Sequence, residues 1–252
     1  MPLSRADQIR ALLKSIETGE PEAIAVVNQA KYIQHNPQTH EGSEGLETLF
    51  KRLSLTNPKV NIVRAFEDGD FVFGHTEYDF STRRIGFEVF RFEGDQVVEH
   101  WDNIQARHGP NVSGHSMVDG PTEARDPDKT EANRAVVGEF VEMVLIGERL
   151  DLWNGFFFGD ALIQHDAHLS DGVENWKDSL ASENQDRKYF KTCHRLLACG
   201  DFVLAVCEGY QGDQHKSFYH MFRMDRFKIA EHWTTVETVP LREVWKNDNG
   251  KF

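Results

Sequence analysis

The chain has 252 residues, with 28 Lys+Arg against 41 Asp+Glu and a formal net charge of −13. That length accommodates two domains with their own cores, and that charge argues against nucleic acid or an anionic membrane surface as the main partner. No apolar run is long enough to span a bilayer, and Arg5, Asp7 and Arg10 interrupt any leader-like stretch, so the expected location is cytoplasmic, where Cys193, Cys199 and Cys207 would stay as free thiols.

Ile9, Leu12, Leu13 and Ile16 recur at helical spacing over 4–16, behind Ser4 as a candidate cap. Gly19 ends that helix, and Pro21 stands near the start of a second, 22–29. Residues 32–36 form a short strand closed by Pro37. A third helix, 44–53, puts Leu46, Leu49, Phe50 and Leu53 on one face. Strands follow at 59–67, 70–80, 85–92 and 96–105, with turns at Asp68-Gly69, 81–84 and Gly94-Asp95. Residues 106–130 have linker composition, but 111–121 (NVSGHSMVDGP) is specific enough to fold back onto a domain. The programme then repeats: helices 131–146, 150–158 and 172–182, a short strand 162–166, strands 189–198, 201–210, 216–224 and 228–237, and a tail 240–252.

The repeat is explicit at 87–101 and 219–233, FEVFRFEGDQVVEHW and YHMFRMDRFKIAEHW. They share Phe90/Phe222, Arg91/Arg223 and Glu99-His100-Trp101/Glu231-His232-Trp233 without a gap. Upstream, Gln34-His35-Asn36 pairs with Gln164-His165-Asp166, and 69–72 with 200–203. The expectation is two tandem α+β domains, 1–121 and 122–252, each with helices covering one face of a curved antiparallel sheet. They would form an intramolecular pseudo-dimer, with a homodimer of chains also open.

If Gly94-Asp95 is a two-residue turn, alternation puts Glu88, Phe90, Phe92, Val97, Glu99, Trp101, Asn103 and Gln105 on the helix-covered face. The matching set is His220, Phe222, Met224, Ile229, Glu231, Trp233, Thr235 and Glu237. His100, Asp102 and His232 then face the other way, unless a bulge reverses the parity and brings in Asp102. Glu88 and His220 hold equivalent positions in an apolar interior. Burial raises a carboxylic acid's pKa and lowers a histidine's, so either would suit proton transfer near neutrality. The competing reading is a group satisfied across the sheet, for example Glu88 by Trp101 Nε1.

The helices, the strand ending YIQHNP and the hairpin FRFxxxxxxEHWD resemble the cone-shaped NTF2-like (cystatin-like) α+β superfamily, and within it the SnoaL-like group of polyketide cyclases and predicted aldol-condensation enzymes. Residues 32–37, 69–75 and 90–105 carry the resemblance in the first copy, 163–166 and 222–233 in the second. The segment 111–121 resembles the one that follows the domain in that group. The fold hosts isomerases, dehydratases, cyclases, epoxide hydrolases and plain binding modules. Carried over position by position, the isomerase general base falls on Asn36 and Asp166, its oxyanion partner on Glu88 and His220, and the cyclase acid after the last-strand Trp on Gln105 and Glu237.

The resemblance implies cofactor-free proton transfer beside a carbonyl of a small apolar ligand, of lyase, isomerase or cyclase type. It favours the second copy, with Asp166 as base, His220 at the developing oxyanion, Glu237 as the alternative base and Trp233 excluding water. Glu88 is the first copy's candidate. His35, Asn36, His75, Trp101, Gln105, His165 and Glu231 complete the candidate binding set, although His35 and His165 equally suit hydrogen bonding of a turn. His75 and Glu77 share a strand face and with His35 would suggest a metal site, yet the sequence fixes no third ligand, so no metal is expected. The alternative is a non-catalytic binding or scaffold protein, its cones filled by Phe and Trp.

Overall fold

The structure is a computed structural model that describes residues 3–19, 22–182 and 185–252, the side chain of Ser43 apart. Pro21, expected at a helix start, lies outside them. In the first unit, α1 (Arg5–Lys14) starts at Ser4, whose Oγ accepts from the Asp7 N–H, and it buries Ile9, Leu12 and Leu13. The expected second helix is only a 3-10 turn, Glu22–Val26, because Val27 leaves it to bridge Val97. Then come β1 (Ile33–Gln34), α2 (Gly42–Ser54), β2 (Lys59–Asp68), β3 (Phe71–Asp79), β4 (Arg83–Glu93) and β5 (Gln96–Ala106). They build a five-stranded sheet of order β1-β5-β4-β3-β2, antiparallel except for the β1–β5 edge. Ile9, Leu13, Phe50, Val72, Phe90 and Phe92 form the core between helices and sheet.

The second unit repeats the plan. Its α3 (Thr130–Glu139) continues as a wider π-type turn, Phe140–Ile146, and the expected helix at 150–158 is a 3-10 helix, Leu150–Phe156. Next are β6 (Ile163–Gln164), α4 (Val173–Ala181), β7 (Lys188–Cys199), β8 (Phe202–Gln211), β9 (Gln214–Asp225) and β10 (Lys228–Thr238). The sheet order β6-β10-β9-β8-β7 matches the first unit strand for strand. Among the described residues, no helix is long and apolar enough to cross a membrane.

The units do not divide at 121. One comprises Met1–Arg107 with Pro240–Phe252, the other His108–Val239. Hydrogen bonding explains the shift from the expected 1–121 and 122–252. The tail's Asn247 Nδ2 donates to the carbonyls of Asn36 (2.7 Å) and Thr39 (3.0 Å), and Asn249 Nδ2 to that of Gln34 (3.0 Å). Likewise Asn111 Nδ2 donates to the Gln164 carbonyl at 2.6 Å. The segment after each last strand therefore closes the other copy's short strand. Asn247→Ala is expected to destabilise the first unit by about 1–2 kcal/mol, since it strips the donor from two carbonyls. An unchanged urea midpoint would show that this anchor contributes nothing.

One local irregularity sets the chemistry of both sheets. Phe92 pairs with Val97 but Arg91 with Glu99, so Val98 is an extra residue in β5. Met224 pairs with Ile229 but Arg223 with Glu231, so Ala230 is extra in β10. In the first unit the bulge buries both Val97 and Val98, which strict alternation would put on opposite faces. Everything beyond each bulge changes face. His100 and Asp102 join Glu88 and Phe90 beneath the helices, and His232 and Thr234 join His220. Glu99, Trp101, Asn103, Gln105, Glu231, Trp233, Thr235 and Glu237, expected inside, lie on the outer face.

Candidate active site

In the first unit the inner face carries a buried polar cluster. Glu88, 3% exposed, accepts from the Tyr78 hydroxyl at 2.6 Å and lies 2.7 Å from His100 Nε2. His100 Nδ1 is 3.0 Å from Gln34 Oε1, which also accepts from the Asn36 N–H. Asp102 accepts from Asn36 Nδ2 at 2.6 Å and from Lys251 Nζ at 3.1 Å; the Asp102 carbonyl accepts from the same ammonium at 2.9 Å. One ligand-type atom from each of Glu88, His100 and Asp102 falls within 4.8 Å of the others.

The environments of the two carboxylates differ in sign. Burial raises the Glu88 pKa above the usual carboxylate range, against the hydrogen bond and charge of His100. Burial would raise Asp102 too, but the charges of Lys251 and His100 and the Asn36 hydrogen bond outweigh it and hold Asp102 low. Burial first, then the Glu88 charge, keeps Tyr78 protonated well above its ordinary pKa. The cluster therefore offers an ionised carboxylate and a carboxyl biased toward its protonated form, on one face of one sheet.

The second unit's equivalent is different. His220, at the Glu88 position, puts Nδ1 2.9 Å from His232 Nε2, and His232 Nδ1 is 2.9 Å from Gln164 Oε1. Because the Gln164 oxygen must accept, neutral His232 donates from Nδ1 and accepts at Nε2 from His220. Trp176 stacks on His232 with ring centroids 4.0 Å apart, and Phe190, Phe218 and Phe222 surround the pair. Burial, with Lys188 adding a little, lowers the His220 pKa to about 3. Burial and the His220 charge put His232 well below its usual value. Thr234 stands where the first unit has Asp102.

The second-copy acids do not converge on His220. Asp166 is buried and spends Oδ1 on the His168 N–H at 2.8 Å, in the turn after β6. Glu237 pairs with Ser217 on the outer face, away from the His220 side of β9. Nor does Trp101 reach Glu88, since the bulge parts their faces. Asn36 is the one expected binding residue in the inner cluster, through Asp102 rather than as a base.

The other shared residues form a repeated clasp on the outer faces. His35 Nε2 is 2.9 Å from Glu99 Oε1, Arg91 Nε donates to Glu99 Oε2 at 2.7 Å, and His35 stacks on Trp101 at 4.6 Å. His165, Glu231, Arg223 and Trp233 repeat it, at 3.1 Å, 2.6 Å and 4.3 Å respectively. His75 is on that outer face too, stacked on Phe87 and 2.8 Å from Arg64 Nη1. The EHW triplet is thus split by parity, with its His turned inward and its Glu and Trp outward. Sequence reasoning missed Tyr78, His100 and Lys251. The Val97-Val98 doublet was the available signal for the bulge.

No family model matches the sequence, and none of the curated proteins compared with it does. Solved structures do match. They include TsrD from Streptomyces laurentii (18% identity, TM-score 0.36, 41% of this chain and 92% of that one). An NTF2-like protein of unknown function from Cytophaga hutchinsonii matches at 15% identity and TM-score 0.37 (42% and 93%). An LEH-like epoxide hydrolase of M. tuberculosis matches at 16% identity and TM-score 0.35 (40% and 81%). Strand order, register and helix placement define the architecture: two tandem α+β units, each a five-stranded sheet with helices on one face.

Proposed function

We propose that the first unit is the catalytic one and transfers protons beside a carbonyl of a small apolar oxygenated substrate, without a cofactor. One observation carries this reading: two buried carboxylates, Asp102 held low and Glu88 raised, flank His100 within 4.8 Å. Environments that push two acids in opposite directions are how one pocket holds a base and an acid together. Asp102, kept ionised by Lys251 and Asn36, abstracts the acidic C–H. Glu88, with Tyr78 and His100 behind it, donates toward the developing enolate oxygen. SnoaL-like cyclisation or isomerisation is chemistry of this type.

A second reading is favoured for the second unit alone. Its inner histidines are bound to one another and to Gln164, with His220 Nε2 left buried among the aromatic side chains that pack around them. That is a scaffold, which makes the pair of units functionally unequal.

The test is deuterium incorporation from D2O at the α-carbon of a panel of cyclic ketones and enolisable esters, followed by NMR. The wild-type chain is expected to exchange at least one of them. Asp102→Asn should slow that exchange by roughly 10²–10⁴-fold, the range for a positioned general base. Glu88→Gln should slow it less, and His220→Gln not at all. A panel left unexchanged, or equal losses for His220→Gln and Asp102→Asn, would sink the assignment.

A further inference from the structure

The segment 111–121 is not absorbed by the proton-transfer reading, and it brings two potential ligands to a third. One ligand-type atom from each of His115, Asp119 and His165 lies within 4.8 Å of the others. His165 Nδ1 is 2.7 Å from Asp119 Oδ1 and 3.0 Å from the Ser116 carbonyl, so oxygen acceptors surround this nitrogen.

Each imidazole is oriented from behind. His115 Nε2 is 3.0 Å from Asp171 Oδ2, and His165 Nε2 is 3.1 Å from Glu231 Oε2, itself held by Arg223. His165 Nδ1 holds its proton against the Ser116 carbonyl and Asp119, and a cation would take the place of that proton; a carboxylate on the remaining ring nitrogen is the usual support of metal-binding histidines. The loop is shaped to reach the site. Asn111 Oδ1 accepts from the N–H groups of Ser113 and His115, both at 3.0 Å, and Ser116 Oγ accepts from that of Asp119. Gly120 has φ +89°, and a Cβ there would meet Glu231 Oε2 and Trp233 Cζ2 at 2.8 Å. Only glycine lets the chain pass this close to Glu231 and Trp233 at that φ.

The first unit shows what the clasp needs by itself. There His35 Nδ1 meets the Gly250 carbonyl at 2.9 Å, in a tail whose neighbouring residues are Asn249 and Lys251. The carbonyl contact is common to both units. His115 and Asp119 are additions peculiar to the second.

We infer that His115, Asp119 and His165 bind a divalent transition-metal ion and thereby fasten the 111–121 segment to the second unit. Two imidazole nitrogens and a carboxylate oxygen suit a borderline cation such as Zn²⁺, with water completing the coordination. The site is separate from the inner cluster, and the inference stands whether or not the first unit is an enzyme.

The experiment is a titration of the full chain, stripped by chelator, with Zn²⁺ alone in competition with a chromophoric chelator. Co²⁺ absorption then reports the ligand field. One equivalent is expected to bind. His115→Ala and Asp119→Asn should each lose roughly 100-fold or more in affinity. Asp171→Asn, which frees only the back of His115, should lose roughly 10-fold. Glu88→Gln, in the other buried cluster, should leave the affinity unchanged. Thermal melts of the variants in chelator, matching wild type, establish that they fold. The inference is overturned if the wild-type chain binds no Zn²⁺, if binding survives both His115→Ala and Asp119→Asn, or if Glu88→Gln abolishes it.

Discussion

Lys251→Met is expected to destabilise the first unit by about 3–5 kcal/mol, the usual effect of stranding one partner of a buried ion pair. Lys251 is 2% exposed and Asp102 4%. The ammonium serves both the Asp102 carboxylate and its carbonyl, so its removal leaves a charge in the interior with the Asn36 hydrogen bond and the His100 charge as its remaining support. Replacing both partners is a different experiment. The second unit shows the uncharged solution: Thr234 stands at the Asp102 position, and buried Met117 follows the Ser116 carbonyl on His165 as Lys251 follows the Gly250 carbonyl on His35. The double variant Asp102→Thr/Lys251→Met should therefore recover most of the loss. Amide hydrogen exchange in β4 and β5 resolves the effect to the first unit. A double variant as unstable as Lys251→Met would mean that the lysine acts through packing and not through its charge.

Acidification is expected to weaken the second unit through its inner histidines. His220 has a folded pKa of about 3 against an unfolded value near 6.5, so as pH falls the unfolded chain takes up the proton first. The stability contribution is complete above about pH 6.5 and falls by about 1.4 kcal/mol per pH unit until about pH 3. Between pH 6.5 and pH 4 that amounts to roughly 3 kcal/mol from His220, and His232, depressed for the same reason, acts in the same direction. His220→Gln keeps a donor for His232 but does not titrate, so its pH profile should be flatter. The check is urea unfolding followed across pH 4–7. Parallel profiles for the two chains would rule out the histidine pair as the source of acid sensitivity.

The duplication, the α+β class, the long strands to within two residues and the pairing of equivalent positions are all legible from the amino-acid sequence. Those rest on local pattern: apolar periodicity, turn residues and the ungapped 87–101/219–233 match. It also identified Glu88 and His220 as equivalent inward-facing ionisable residues, because β4 and β9 precede the bulges. The tertiary structure decided what lies beside them. A single extra residue, Val98 or Ala230, reverses every later side chain, and alternation along a strand cannot place such a residue without the partner strand's register. That is why unbroken alternation places His100 and Asp102 outward and Glu99, Trp101, Glu231 and Trp233 inward, and leaves Asp102 inward only if a bulge intervenes. Lys251 was out of reach for another reason. It meets Asp102 across 149 residues, through a tail that belongs to the first unit, and no local pattern carries a contact of that separation.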